Sequence, residues 1–500
     1  MTKNICNYLF SLVAIFILLT TSSVSFAEKL RWAADTESGA PFVFYESENL
    51  QKMTGYELEI VNRLAEKLKA QPEFVQNAWD GLVLGLNNNL YDIAINGLEI
   101  TEERKKVVDF SIPYYATYLQ IVVRQGEARF KKLSDLSGFK VGTLAGALSE
   151  SVLRAQAGIE VVTYDSETLA HQDLALNRTD ALLFDAPIAK YFSEINPKFQ
   201  VIETPISSMT YGIAISKKNP QLLLRINKAL EEMIETGELK AILARWALWN
   251  NSTASLFNDD SPNRTPPVSF EKYKASLNLE RSFSEKLNIY KKSVPLLNNA
   301  ILQTVRISFS AMLVAVILGL TITLLRQFDW SAVNIALTTV VEIVRGTPLL
   351  LQLFFIFYAL PSLGFEISAF WAAVLGLGIN YSAQESEIYR AGLNSVHRNQ
   401  VEAAKLLGFN KFQTFVYIQV PQAFRFSLPP MTNDFIALIK DSSLVSVITL
   451  VELTKTFSLL SATYYDYVGF AIITAAVYIL IGLPLVLLSK YIEKKSALPV

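Results

Sequence analysis

The sequence predicts a multi-domain chain, an exported α/β domain followed by an all-α membrane domain of about five helices. Three observations predict it. A short apolar segment behind a basic residue opens the chain. The next stretch alternates short apolar runs with amphipathic helical patterns. Beyond about residue 294, long apolar runs take over. The 500 residues are too many for one ordinary domain. Hydrophobic residues make up 51% and charged residues 18%, and the mean hydropathy is +0.28. The predicted division is 1–27 signal peptide, 28–250 extracytoplasmic α/β domain, 251–293 linker and 294–492 membrane domain.

The first element is the signal. Lys3 supplies positive charge, residues 8–19 form an apolar core, and Ser25-Phe26-Ala27 places small residues at a cleavage site. The soluble stretch behind it is therefore expected outside the cytoplasm. A net charge of −1 gives no reason to expect a nucleic-acid partner. Cys6 is the only cysteine, and the two histidines, His171 and His397, lie far apart. No metal site, disulfide framework or resident cofactor is expected.

The soluble stretch reads as strands near 30–34, 91–95, 119–123, 140–143, 181–184 and 211–215. Tyr56–Leu68 carries Leu58, Val61, Leu64, Ala65 and Leu68 at helical spacing with charges between, so it reads as an amphipathic helix. Strands alternating with helices imply mostly parallel sheets. Neither a dinucleotide fingerprint nor a P-loop occurs.

Several segments then occur in order: Trp79-Asp80-Gly81-Leu82, Tyr91-Asp92-Ile93-Ala94, Ile100-Thr101-Glu102-Glu103-Arg104 and Asp109-Phe110-Ser111-Ile112-Pro113-Tyr114-Tyr115. Asp135-Leu136-Ser137-Gly138 and Thr179-Asp180-Ala181-Leu182-Leu183-Phe184-Asp185 complete the set. Together they resemble the polar amino-acid family of bacterial periplasmic binding proteins. The resemblance implies a type II architecture: two α/β lobes joined by crossing strands, expected near 118–124 and 208–215, that close on a ligand like a hinge. A zwitterionic ligand needs a cation for its carboxylate and an anion for its ammonium. Arg104 can grip a carboxylate bidentately, and Asp185 can hold an ammonium. Trp79 offers a flat face, Gly97 admits close backbone approach, and Gly146 with Ala147 opens a lobe-two helix.

The departures concern the ligand. Glu99 stands where the family usually has Ser or Thr, close enough to Arg104 to pair with it and compete with a ligand carboxylate. Ala147 replaces a common hydroxyl residue. The segment Asp35-Thr36-Glu37-Ser38 lacks the usual aromatic. The acidic set Asp35, Glu37, Glu99 and Asp185 tilts the expected ligand toward a cationic or polyamine-like solute.

Asn, Ser, Asp and Pro dominate the start of the 251–293 linker, which reads as a flexible tether. Residues 271–293 read as an amphipathic surface helix. Spans are expected near 300–325, 332–360, 367–391, 422–447 and 466–489. Arg398, Lys405 and Lys411 in the long loop 392–420, and Lys490, Lys494 and Lys495 at the C-terminus, place both on the cytoplasmic side of a cell membrane.

That loop contains Glu402-Ala403-Ala404, then Gly408, Ile418 and Pro421. The pattern resembles the EAA motif of binding-protein-dependent ABC permeases of the type I importer class. Arg345-Gly346-Thr347-Pro348 and Lys440-Asp441-Ser442-Ser443 resemble polar amino-acid permeases. The resemblance implies a separate cytoplasmic ATPase that consumes ATP, docked on the loop, and a second permease subunit, most simply a copy of this chain. It implies uptake of a polar amino acid or a similar small polar or cationic solute. Glu342, Asn433, Lys440 and Asp441 are candidates for the translocation path, since charge at membrane depth is costly. Gln384 and Glu385 depart from the usual pattern. Two alternatives stay open. A ligand-gated channel would carry a Thr-Val-Gly-Tyr-Gly-like filter, which is absent from the sequence. A dehydratase-like enzyme would need a pocket acid or base, for which Glu99 is the candidate.

Overall fold

The computed structural model describes residues 28–277, 281–327, 331–365 and 367–496. The predicted signal, 1–27, lies outside the described residues. The soluble half has two sheets. In the first, the order is Ala70–Gln76, Glu28–Ala34, Ile93–Ala94, Ala214–Ile215 and Asp109–Phe110. Its first three strands are parallel, and Ala214–Ile215 runs antiparallel to both neighbours. In the second, the order is Phe199–Val201, Tyr115–Arg124, Ala181–Asp185, Lys140–Leu144 and Glu160–Tyr164, with Ile206–Tyr211 also on Tyr115–Arg124. Ala181–Asp185 is buried along its whole length, as a strand covered on both faces should be. The Tyr56–Leu68 helix buries Tyr56, Ile60, Val61, Leu64 and Ala65 on one stripe and stops at Lys69, whose φ of 53° leaves the helical region.

The chain crosses between the sheets at Ser111–Tyr114 and at Gly212-Ile213, with Ser111 N donating to Ile213 O at 2.8 Å and Tyr114 N to Tyr211 O at 3.1 Å. The first crossing therefore precedes the expected 118–124, which is a buried strand of the second sheet. Pro113, with no N–H to give a ladder, marks the break that the apolar run conceals. The single strand expected over 211–215 is likewise two strands in different sheets.

The linker is more ordered than its composition suggests. Asn251–Phe257 is a helix capped by Asn250, and buried Thr253 donates to Ala116 O at 2.9 Å. Residues 258–267 are irregular, but Lys240 holds Asp259 at 2.8 Å. The surface helix expected over 271–293 is split: Val268–Ser276 is a short helix of its own that buries Phe270, and residues 283–293 continue into the first membrane helix, Phe283–Leu325, of 43 residues.

The C-terminal half is helical. Phe283–Leu325 and Tyr467–Tyr491 are each long and apolar enough to cross a membrane; Ser331–Gly346 with Leu349–Ala359 forms a third such unit bent by 105°. The bend falls at Thr347-Pro348. Pro348 cannot donate into the preceding turn, and Thr347 Oγ1 donates back to Ile343 O at 3.0 Å. The expected continuous span over 332–360 is thus a broken one. Ala369–Asn394 and Val420–Asp441 have 26 and 22 residues but carry polar side chains such as Asn380, Glu385 and Asp434. Phe283–Leu325 and Ala369–Asn394 approach closely at glycines: a Cβ on Gly378 would lie 3.1 Å from Ala311 O, and one on Gly319 would lie 3.2 Å from Ser382 O. Residues 453–464, which fall between the fourth and fifth expected spans, form the helix Leu453–Tyr464, capped by Glu452.

Candidate binding cleft and coupling loop

The cleft lies between the two sheets, behind the crossing strands. Phe42, Trp79, Asn96, Gly97 and Glu99 line it from lobe one, and Leu144, Ala147, Glu167, Phe184 and Asp185 from lobe two. The lobes are nearly shut, leaving about 20 Å³, room for about one water and not an amino acid.

Arg104 is held by its own lobe and reaches across. Its guanidinium donates to the Glu99 carboxylate through Nη1, which also meets Glu99 O at 2.9 Å. Nη2 reaches Gly146 O in lobe two at 3.1 Å. The same guanidinium stacks over Trp79, 5.1 Å from the ring centre. Glu99, 1% exposed, takes Leu148 N on its other oxygen at 3.0 Å. It bridges the arginine and the first amide of the lobe-two helix Leu148–Arg154. Trp79 is fixed through Nε1 on Asn96 O at 2.9 Å.

Gly97 has φ +61°, and a Cβ there would lie 2.6 Å from Phe42. Its N–H donates to Glu57 at 2.7 Å. Burial pushes the Glu57 carboxyl up to about 7, against the hydrogen bonds from Tyr114, Gly97 and Tyr56. Asp185 accepts from Tyr211 OH. Burial first, and Glu99 second, push the Asp185 carboxyl up to about 8. Gly146 and Ala147 form the turn before Leu148, with Gly146 N on Glu150 at 2.7 Å.

Asp35 and Glu37 stand apart from this group. Asp35 caps the short Thr36–Ser38 turn and accepts from Gln76 at 2.8 Å and from Trp79 N at 3.1 Å. Its role is to hold the Trp79 loop. Glu37 faces the membrane half: its partner is Lys455 of the Leu453–Tyr464 helix, at 3.0 Å, with Asp35 Oδ1 at 3.9 Å from the same ammonium. Burial works against the Lys455 charge, but Asp35 and Glu37 outweigh it and hold the ammonium above its usual pKa.

Sequence reasoning missed Glu167, Asn96 and Phe184. Glu167 opens the helix Glu167–Ala175, whose His171 is buried against Phe184 and Phe192. Its carboxyl is pushed well above the usual range by burial. Its only sequence signal is position: it follows a capping Ser166 in a stretch with no apolar stripe to orient it.

In the membrane half, Glu402, Ala403 and Ala404 lie on the helix Arg398–Leu406. Ala404 is buried, while Glu402 is exposed and 3.3 Å from Arg398. Gly408 turns the chain with φ +88°. Leu406, Leu407 and Phe412 project outward, 90%, 78% and 73% exposed. The four path candidates do not converge. Glu342 pairs loosely with Arg345 at 3.9 Å, Asn433 accepts from Ser489, Lys440 is exposed, and Asp441 accepts from Tyr381 at 2.7 Å. A cavity of about 790 Å³ is lined instead by Arg345, Asn380, Gln384, Glu387 and Asp434. Asn433 and Asp434 are neighbours about 100° apart around a helix, and composition does not say which one faces inward.

Residues 30–248 match the family described as bacterial extracellular solute-binding proteins, family 3. Residues 315–497 match the binding-protein-dependent transport system inner membrane component. The chain is a family 3 solute-binding protein fused to a transport permease. Its binding half is 35% identical over 209 residues to the L-cystine-binding protein of Escherichia coli (strain K12), covering 41% of the fused chain and 78% of that relative. Its permease half is 35% identical over 222 residues to a probable amino-acid ABC transporter permease of Bacillus subtilis (strain 168), covering 44% and 97%. A second relative there, the L-cystine transport system permease of the same organism, is 36% identical over 202 residues, covering 40% and 86%. The fused chain thus unites two parts that these relatives carry on separate chains.

Proposed function

We propose that the fused chain is the binding and permease subunit of an ATP-driven importer of a small polar solute, a polar amino acid or a related cation. The observation that carries the reading is the pairing of a closable cleft with an exposed coupling loop. The binding domain docks at Leu453–Tyr464 through Glu37 and Ser47, and the loop lies at the other end of Val420–Asp441, whose 22 residues span about 33 Å. The binding domain is outside the cell membrane. The loop with Arg398, Lys405 and Lys411 is cytoplasmic, as is the basic C-terminal end. Leu406, Leu407 and Phe412 suit a groove on a separate ATPase, which supplies the ATP chemistry; apolar side chains this exposed are costly unless covered. Two permease units enclose a path, so a second copy of this chain is the simplest partner. Asp434, Asn380 and Gln384 then line the path, in place of the four residues singled out from the sequence. The relatives named for cystine and amino acids support a polar, zwitterionic or cationic cargo.

The test is reconstitution with the cognate ATPase in vesicles. Glu402→Arg or Gly408→Pro should abolish uptake and stimulated ATP hydrolysis while solute binding to the full chain persists. Binding lost together with uptake would contradict this division of labour.

A further inference from the structure

We infer that Glu99 occupies the place a ligand carboxylate would otherwise take, so that the cleft selects a small amine lacking a carboxylate. The inference rests on the importer reading and narrows its cargo. A carboxylate entering between two lobes needs donors. Arg104 gives Nη1 to the Glu99 carboxylate and Nη2 to Gly146 O. Leu148 N, the amide on the facing lobe, is also taken by Glu99, at 3.0 Å. Trp79 Nε1 is spent on Asn96 O, Gly97 N on Glu57, and Ser149 Oγ shares a hydrogen with Thr143 Oγ1 at 2.6 Å.

Asn96 Nδ2 is buried without a partner, a single neutral donor set against two carboxyl groups. Asp185 and Glu167 line the same cleft and are both buried. With Glu99 matched by Arg104, an arriving anion finds two further carboxyl groups and must also displace Glu99 from a buried ion pair. An arriving ammonium or guanidinium also has to part the lobes, but it leaves the Glu99–Arg104 pair in place and meets Asp185 and Glu167, whose charged forms it favours. Phe42 and Phe184 give apolar walls for a short methylene chain. A carboxylate fixed to the protein therefore converts an amino-acid cleft into an amine cleft.

The test uses the full chain in lipid nanodiscs and matched pairs that differ only by the α-carboxylate: agmatine against arginine, and cadaverine against lysine. Equilibrium binding should favour the amine of at least one pair by about tenfold or more, a difference of about 1.4 kcal/mol. Glu99→Thr should reverse the order by freeing Arg104 and Leu148 N. Glu99→Gln, of the same shape, should narrow the preference if the threonine variant folds poorly. An amino acid bound as tightly as its amine in the parent chain, or an order unchanged by both variants, overturns the inference and leaves the importer reading standing. Binding of no amine and no amino acid overturns both.

Discussion

At the scale of single residues, the soluble half stores its chemistry in buried ionisable groups, and their protonation sets how stability depends on pH. Asp185 has a folded pKa of about 8, raised above its unfolded value, so the folded state holds a proton that the unfolded state has lost. Stability from this group is full below the unfolded pKa and drains away as pH climbs to about 8, at up to about 1.4 kcal/mol per pH unit. Glu57, at about 7, acts in the same direction. His171 acts oppositely: burial lowers it to about 4, so stability is gained as pH rises from there toward its unfolded value. With two raised carboxyls against one lowered imidazole, the expected outcome is a contribution that is greatest in acid, declines as pH rises and levels off above about pH 8. Asp185→Asn should flatten that decline, as followed by calorimetric melting of the binding-domain transition against pH. An unaltered profile would show that Asp185 is ionised throughout. Gly97 offers a steric test at the same scale. Gly97→Ala forces a side chain into φ +61° and against Phe42, and should cost about 1–3 kcal/mol by the same melting measurement.

At the scale of elements, the coupling loop depends on a turn rather than on packing. Gly408 has φ +88° with open space around it, so Gly408→Ala carries only the backbone penalty, on the order of 1 kcal/mol. Uptake by that variant should be reduced mildly, in contrast to the loss expected for Gly408→Pro, and transport assays on the two variants side by side separate turn geometry from contact chemistry. The elements also mark what sequence can convey. The helix at Tyr56–Leu68 was legible because its apolar stripe has a helical period, and the coupling loop because glycine and proline fall at fixed offsets. The first crossing strand was not, since Tyr115–Arg124 is apolar enough on both faces to read as one strand anywhere in a sheet. The break at Pro348 was visible as a proline, but only tertiary packing sets a bend of 105°. Within the cleft, Arg104, Trp79 and Asp185 could be named from their segments. The pairing of Glu99 with Arg104 was readable because the two are close in sequence. Glu167 was not, because the sheet brings it to Asp185 from a distant, featureless stretch.

At the scale of the whole molecule, the two halves meet through charge and aromatic contacts that neither half reveals alone. Tyr464 OH donates to Ser47 O at 2.7 Å, Asn88 donates to Tyr358 O at 3.1 Å, and Phe192 packs on Tyr465. Lys455 is the buried cation of this contact, only 9% exposed as a side chain and set between Glu37 and Asp35. A buried ion pair is a poor source of net stability, but losing one partner strands the other charge, at a cost of about 3–5 kcal/mol. Lys455→Met should therefore weaken docking strongly, whereas Lys455→Met with Glu37→Leu should recover much of it, because the stranded charge is removed as well. Cysteines placed at Ser47 and Thr463, which line one small cavity between the halves and leave Tyr464 in place, give a cross-linking readout in membranes, with the tether keeping the local concentration constant across variants. The double variant decides between two accounts. If it cross-links like the parent while the single variant does not, the ion pair sets which docked arrangements are allowed, and the tyrosine and backbone contacts hold the arrangement once it forms. If both cross-link like the parent, those contacts alone carry docking and Lys455 is dispensable.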